Sequence, residues 1–292
     1  MGILDPIRVP DPPAIMTTNL LIFGLIITIY YLVLFGDIGI GGPILFGYIC
    51  IVDIYMDQNI NLNNDLNNDL NSKINFCFYW INLDRDTDRR ENMTALFQQH
   101  NITNVRIPAI LGTTVADKQL ACTKSHIKAI TTFLESSESD DAALICEDDM
   151  TLEYEPYWIE DLDTVINNAP SDWEIIQLAI TCDRFDYDFY KNTTNYIPHK
   201  YHYYSTVCYA INRRAAKRAV DIQFASSDYQ ADMVLYKFFK TYTYKYPMFT
   251  HRDNIPSTIN PSDGHIAYHI LSRKVVTDFV KKQKELQNTN ST

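Results

Sequence analysis

The apolar positions of this chain fall into two regimes. From Asn19 to Phe35 no residue is charged, and Leu20 to Ile27 is apolar apart from Gly24. A second uncharged run, Ile38 to Val52, is broken by Gly39, Gly41, Gly42 and Pro43. A helix that crosses a bilayer needs about 20 residues, with a lower limit near 17. The first run meets that limit. The pattern therefore predicts one membrane span within 19–56, with a hairpin or re-entrant second segment as the alternative. A buried hydrophobic hairpin of a soluble protein is the competing reading. No basic stretch precedes the first run and no small-residue cleavage site follows it, so a cleaved signal peptide fits less well. Arg8 is the only basic residue before Lys73, which leaves orientation weakly specified. Residues 1–18, with Pro6, Pro10, Pro12 and Pro13, read as an irregular tail. Residues 57–73 are rich in Asn and Asp and read as a linker, because such composition buries too little apolar surface to offset ordering entropy. Leu62, Leu66 and Leu70 recur at helical spacing, so a weak helix is the alternative there.

After Ile74 short apolar runs alternate with helical spacing. Phe76 to Leu83 reads as an aromatic strand. A helix follows, capped by Asp86 or Thr87 and running to about His100, with Met93, Leu96 and Phe97 inward. Val105 to Ile110 is a second strand, ending before Gly112. Asp117 to Ser136 is a helix with small residues in its first turns and Ile127, Ile130 and Phe133 inward. Further strands are expected at Asp172–Ala179, Ser205–Asn212 and Tyr244–Phe249, with helices at Arg213–Phe224 and from Ser226 to Phe239. Pro256 to His269 reads as a loop, and His251 and His265 are placed in or beside it. This order defines an α/β domain at 74–275, followed by a basic helical tail at 276–292.

The chemistry concentrates at Ala142 to Met150. Ala143 to Cys146 is a fully apolar run, as in a strand buried on both faces, and it meets Glu147, Asp148 and Asp149. Three carboxylates cannot enter a sheet interior unpaired, since each would cost several kcal/mol or lose its charge. They belong at the strand's exit, where open α/β sheets bind ligands. A hard divalent cation and a phosphate-bearing substrate suit that position; an acidic loop after a core strand is the plain alternative. Arg85, Arg89 and Arg90 follow the first strand and are candidates to clamp a diphosphate, against a reading as ordinary helix-surface charge. Ser125 and His126 are candidate substrate contacts, although a single helical histidine is commonly structural.

Composition narrows the classes. The net charge is -11, which argues against nucleic acid as a partner. None of the six cysteines forms a C-x-x-C pair, so neither a zinc ribbon nor a disulfide framework is indicated. Sequons at Asn92, Asn101, Asn192 and Asn290 do not decide the side of a membrane in so Asn-rich a chain.

Four segments together resemble glycosyltransferase family 25, the lipooligosaccharide and collagen sugar transferases. They are Ile81-Asn82-Leu83-Asp84-Arg85 with Arg89-Arg90, Pro108-Ala109 with Gly112, Cys122-Thr123-Lys124-Ser125-His126, and Leu144-Ile145-Cys146-Glu147-Asp148-Asp149. They span about 75–260. Ala121 stands where the family usually has Gly, and no second catalytic domain is recognisable.

The resemblance implies a GT-A fold, a Rossmann-like mixed sheet flanked by helices, here with an N-terminal transmembrane segment. It implies an inverting transferase that moves a hexose from a UDP-sugar, galactose or glucose, to a hydroxyl of a glycan or protein. Mn2+ or Mg2+ is the implied cofactor, held by Glu147 and Asp149, with His251 completing the shell and His265 its rival. Asn82, Asp84, Arg85, Arg89, Ser125, His126 and Asp148 are the expected substrate contacts. Asp232 is the candidate base for the acceptor hydroxyl; a helix-surface acid is the competing reading. Two other functions use the same carboxylates: a sugar- or nucleotide-binding module without turnover, and a metal-dependent phosphohydrolase.

Overall fold

The computed structural model describes residues 15–22, 25–36, 44–56, 74–136, 139–200, 202–222, 230–252, 259 and 262–290. The linker at 57–73 and the segments 226–229 and 256–258 lie outside the described residues. The chain divides into two units, Met1–Ser72 and Lys73–Thr292.

In the first unit β1 (Ile15–Ile22), β2 (Leu25–Gly36) and β3 (Ile44–Met56) form an antiparallel sheet in the order β1-β2-β3. Residues 19–56, where the pattern predicts a helical span, are thus extended wherever they are described. Ile26-Ile27-Thr28-Ile29-Tyr30-Tyr31 is β-branched or aromatic throughout, and such side chains favour the pleated backbone over the helix. Among the described residues no helix is long and apolar enough to cross a membrane.

The second unit opens with β4 (Phe76–Asn82), α1 (Thr87–Gln99), β5 (Asn104–Pro108), α2 (Val115–Ser136) and β6 (Ala142–Glu147). It continues through β7 (Met150–Thr151), α3 (Leu162–Asn167), β8 (Ile175–Gln177), α4 (Tyr187–Lys191), β9 (Tyr196–Pro198) and β10 (Cys208–Asn212). The last elements are α5 (Arg213–Ala219), α6 (Ala231–Phe238), β11 (Thr241–Tyr244), β12 (Thr250–His251) and α7 (Asp263–Asn290). Seven strands form a mixed sheet in the order β5-β4-β6-β10-β8-β11-β9. β10 runs against both its neighbours and β9 against β11, while β5, β4 and β6 are parallel.

Burial of both faces explains why β4 and β6 are apolar up to their last residues, Asn82 and Glu147. Phe78, Trp80, Leu144 and Cys146 face the layer that contains Met93 and Phe97 of α1. Cys77, Tyr79, Ile81, Ala143 and Ile145 face the layer that contains Ala129, Ile130 and Phe133 of α2. Each large apolar side chain so buried contributes about 1.5–3 kcal/mol. The register brings three strand ends to one edge: Asn82 lies opposite Pro108, and Ile81 opposite Glu147.

Two C-terminal boundaries differ from the sequence reading. The late strand is Thr241–Tyr244, paired in parallel with β8, and Phe249 keeps only an isolated bridge to Ala179. Pro247, which has no N–H to donate, stands between them. The segment from Asp263 through His269 is helical, and α7 runs without a break past Val275. Val276, Phe279 and Val280, spaced at one helical stripe, are buried against Phe185, Phe189 and Tyr203.

Gly112 is required by close approach. A Cβ there would lie 2.4 Å from the Lys118 backbone N and 2.5 Å from Asp117 C. Gly112→Ala must therefore push the 109–112 loop off the start of α2. A loss of about 1–3 kcal/mol, the usual cost of overpacking, is expected in urea unfolding. An unchanged midpoint would contradict it.

Candidate functional site

β6 ends at Glu147, the chain turns at Asp148–Asp149, and β7 then pairs with β12. The three acids meet three different environments. Glu147 Oε1 accepts from Thr206 Oγ1 at 2.6 Å and lies 3.5 Å from His126 Nε2. Burial drives this carboxyl upward, but His126 and then Thr206 outweigh it, and it settles below its ordinary range. Asp148 accepts from Arg89 Nη1 at 2.5 Å and from Asn82 Nδ2 at 2.8 Å. Its desolvation still exceeds what those partners return, so it lies above its ordinary range. Asp149 Oδ1 is buried and has no hydrogen-bond partner. Burial, then the charge of Glu147, push this carboxyl up to about 7.

A buried polar atom left without a partner costs about 1–3 kcal/mol, more when charged. Asp149 Oδ1 is such an atom; His126 Nε2 also lacks a hydrogen bond but lies 3.5 Å from Glu147 Oε1. His126 is fully buried on α2, and its Nδ1 lies 3.3 Å from the Tyr209 hydroxyl. The ligating atoms of Cys122, His126 and Glu147 all lie within 4.8 Å of one another.

The acids stand where two lobes of one cleft meet. The smaller lobe, about 110 Å³, is lined by Asn82, Arg85, Arg89, Gly112, Lys118 and Asp148. The larger, about 860 Å³, is lined by Tyr204, Thr206, Asp232, Arg252, Tyr268 and the imidazoles of His251, His265 and His269. Cys122, Glu147 and Asp149 line both. A volume of this order suits a small-molecule site.

The structure brings most of the sequence candidates to this cleft but gives several of them structural duties. Asn82 is buried and joins strand ends: it donates to Asp148 and to the Asp86 carbonyl, and accepts from Arg106 Nε at 3.0 Å. Arg89 is committed to Asp148 rather than open to a diphosphate. Asp84 is exposed and paired with Arg106 at 2.6 Å, which holds its carboxyl below the usual range. Arg85 sits at the lip of the smaller lobe, beside Asp86 at 3.6 Å. Ser125 Oγ donates to the Ala121 carbonyl and accepts from Ile110 N at 2.8 Å, pinning the 109–112 loop to α2. Asp232 opens α6 and accepts from Ser205 N and Met233 N; burial raises its carboxyl. His251 lies on β12 opposite Met150, in the larger lobe and outside the Cys122–His126–Glu147 cluster.

Thr206, Lys118 and Arg252 are cleft residues that the sequence did not single out. Arg252 N donates to the Asp149 carbonyl at 2.8 Å. Ser205, beside Thr206, has φ 112°, a region that non-glycine residues rarely adopt and that collects at working sites. Its backbone is held by Asp232 and by the Tyr236 hydroxyl, which donates to the Ser205 carbonyl at 2.6 Å.

The donors fit a hard divalent cation. Glu147 and Asp149 offer carboxylate oxygen, and His126 offers Nε2, 3.5 Å from Glu147 Oε1. Cys122 is a poorer match for Mn2+ or Mg2+: burial, then the charge of Glu147, keep the thiol protonated, and sulfur is soft.

No protein-family model matches the sequence, and no curated protein sequence does. Among solved structures, the fold is similar to a glycosyltransferase involved in the glycosylation of the major capsid of PBCV-1. The two are 9% identical over 66% of this chain and 98% of that one, with a TM-score of 0.43. It is similar also to Drosophila beta-1,4-galactosyltransferase 7, as a mutant with manganese, UDP-Gal and xylobiose (10% identity, 62% of this chain, 72% of that one, TM-score 0.33). The catalytic domain of the same enzyme with xylobiose gives 11% identity, 62% and 71% coverage, and a TM-score of 0.34. These three structures are of glycosyltransferases.

Proposed function

We propose that this chain is a metal-dependent glycosyltransferase that moves a hexose from a UDP-sugar to a hydroxyl of a glycan or protein, with inversion. The observation that carries the proposal is Asp149: a buried carboxylate with an orphaned oxygen, following two other acids, where the two lobes of the cleft join. Glu147 and Asp149, with His126 beside them, would hold the cation, which when bound neutralises charge on a departing diphosphate. Lys118, Arg85 and Arg252 add fixed positive charge around the cleft.

The layout supports direct displacement. The diphosphate occupies the smaller lobe, under the strand ends, and the acceptor enters the larger one. Asp232 faces the acceptor side and takes the proton of the attacking hydroxyl. Its raised carboxyl brings it nearer to working pH, as a general base requires. The UDP-sugar donor is the class implied by the family 25 resemblance.

A panel of nucleotide sugars, assayed for nucleotide release with and without Mn2+ and acceptor, tests the proposal. Release that needs both supports it. Release indifferent to acceptor identifies a phosphohydrolase, and binding without release a non-catalytic module. Asp232→Asn should lower kcat by about 10²–10⁴, the usual span for losing general base catalysis, with Mn2+ binding retained. Wild-type kcat in that variant would remove Asp232 from the mechanism. Membrane attachment through 19–56 belongs to the same proposal and is supported by the uncharged run from Asn19 to Phe35. Release of the full chain from membranes by alkaline carbonate would refute it.

A further inference from the structure

The larger lobe contains a group of side chains that the transfer reaction does not use. His265 and His269 are one turn apart on α7, so their side chains share a face. Their Nε2 atoms are 3.3 Å apart. Two nitrogens bound at about 2.1 Å to one tetrahedral ion lie about 3.4 Å from each other. His265 Nδ1 is buried and has no hydrogen-bond partner. A third imidazole, His251 on β12, has its ring centroid 5.1 Å from that of His269. Burial holds both His265 and His269 below the ordinary imidazole range, and so neutral and able to ligate.

We propose that His265 and His269, joined by His251 once its ring turns toward them, form a second metal site, built of nitrogen donors, for a borderline divalent cation such as Zn2+. It shares the larger lobe with Glu147 and Asp149 but uses nitrogen in place of carboxylate donors. The donor chemistry separates the two: imidazole suits Zn2+, and carboxylate suits Mn2+ or Mg2+. Without metal, the facing Nε2 atoms can share only one hydrogen. A metal bound between them would use both lone pairs. The ion ties α7 to β12. Because His251 pairs with Met150, the residue after Asp149, occupancy braces the wall behind the acidic turn.

The full chain, stripped with a chelator and titrated with Zn2+ alone, provides the test. Cys122, His126 and Glu147 can also take Zn2+, so the readout is a difference. The double variant His265→Gln/His269→Gln is expected to bind one Zn2+ fewer per chain than wild type. A second measurement needs no variant: saturating Zn2+ should protect His265 and His269 of the wild-type protein from diethyl pyrocarbonate, mapped by peptide mass. Equal Zn2+ counts in variant and wild type, or unprotected histidines, would overturn the site. Neither readout involves turnover, so the outcome is independent of the transferase proposal.

Discussion

Asp149→Asn is expected to lower metal-dependent transfer by about 10³-fold or more, since a bound cation supplies several kcal/mol and each 1.36 kcal/mol is tenfold in rate. Asparagine keeps the shape of the side chain and removes its charge, so the fold should persist. Stability gives a second readout. In the folded metal-free protein Asp149 holds its proton up to about pH 7, against an ordinary value of 3.8. Below about pH 4 the carboxyl is protonated in both states and contributes no pH dependence. Between about 4 and 7 the folded state binds more protons than the unfolded one, so stability falls as pH rises. Above about 7 the loss is complete. The stability of wild type relative to Asp149→Asn should therefore decline across that window and then level off. Glu147, whose carboxyl is depressed, stabilises above its ordinary value of 4.5 and loses that contribution as pH falls further. Its window lies below the one that reports Asp149. Mn2+ should raise the wild-type Tm most above pH 7 and leave the variant unmoved. A pH-independent gap between the two proteins, or Mn2+-dependent turnover in the variant, would defeat the assignment.

Arg89→Ala is expected to destabilise the protein by about 3–5 kcal/mol, the usual cost of removing one partner of a buried ion pair. The Arg89 and Asp148 side chains are 13% and 10% exposed, so water cannot replace the lost partner. The titration shifts of the two partners are unequal, and the local charge explains why. Burial lowers Arg89, but Asp148 and then Asp149 outweigh it, and the guanidinium is pushed up. Asp148 has one cation and a neighbouring acid, so burial prevails and it too is raised. One arginine thus offsets several carboxylates, and its loss leaves them to repel each other. Urea unfolding of Arg89→Ala, Asp148→Asn and the double variant measures the coupling. The double variant should recover part of the loss, because no unpaired charge remains at that pair. A single-variant loss below about 1 kcal/mol, the range of exposed pairs, would show that the ion pair does not support the strand ends.

Much of the second unit was legible from residue pattern alone. The apolar run Ala143–Cys146 read as a strand covered on both faces, because period-2 side chains would otherwise meet water on one side, and Phe76–Leu83 read as a strand from its aromatic content. The same reasoning placed Glu147, Asp148 and Asp149 at a strand exit. The apolar N-terminal runs were ambiguous: length alone suits a helical span, while β-branched and aromatic content suits the three strands described. The α7 stripe of Val276, Phe279 and Val280 was present in the chain, but its partners, Phe185, Phe189 and Tyr203, are some 70–100 residues away.

What the chain determined by itself was local: which segments alternate with period 2 or 3.6, and that three acids must follow a buried strand. Those follow from backbone geometry and the cost of burying charge, which neighbouring residues suffice to impose. The tertiary structure decided which acid remains unpaired. Arg89 and Asn82 reach Asp148, and Thr206 and His126 reach Glu147, from elements between 21 and 66 residues distant in sequence. Asp149 keeps one buried oxygen, Oδ1, without a partner because strand order and register bring no side-chain donor to it. No residue type announces that outcome, since an acid becomes a ligand through what the fold withholds from it.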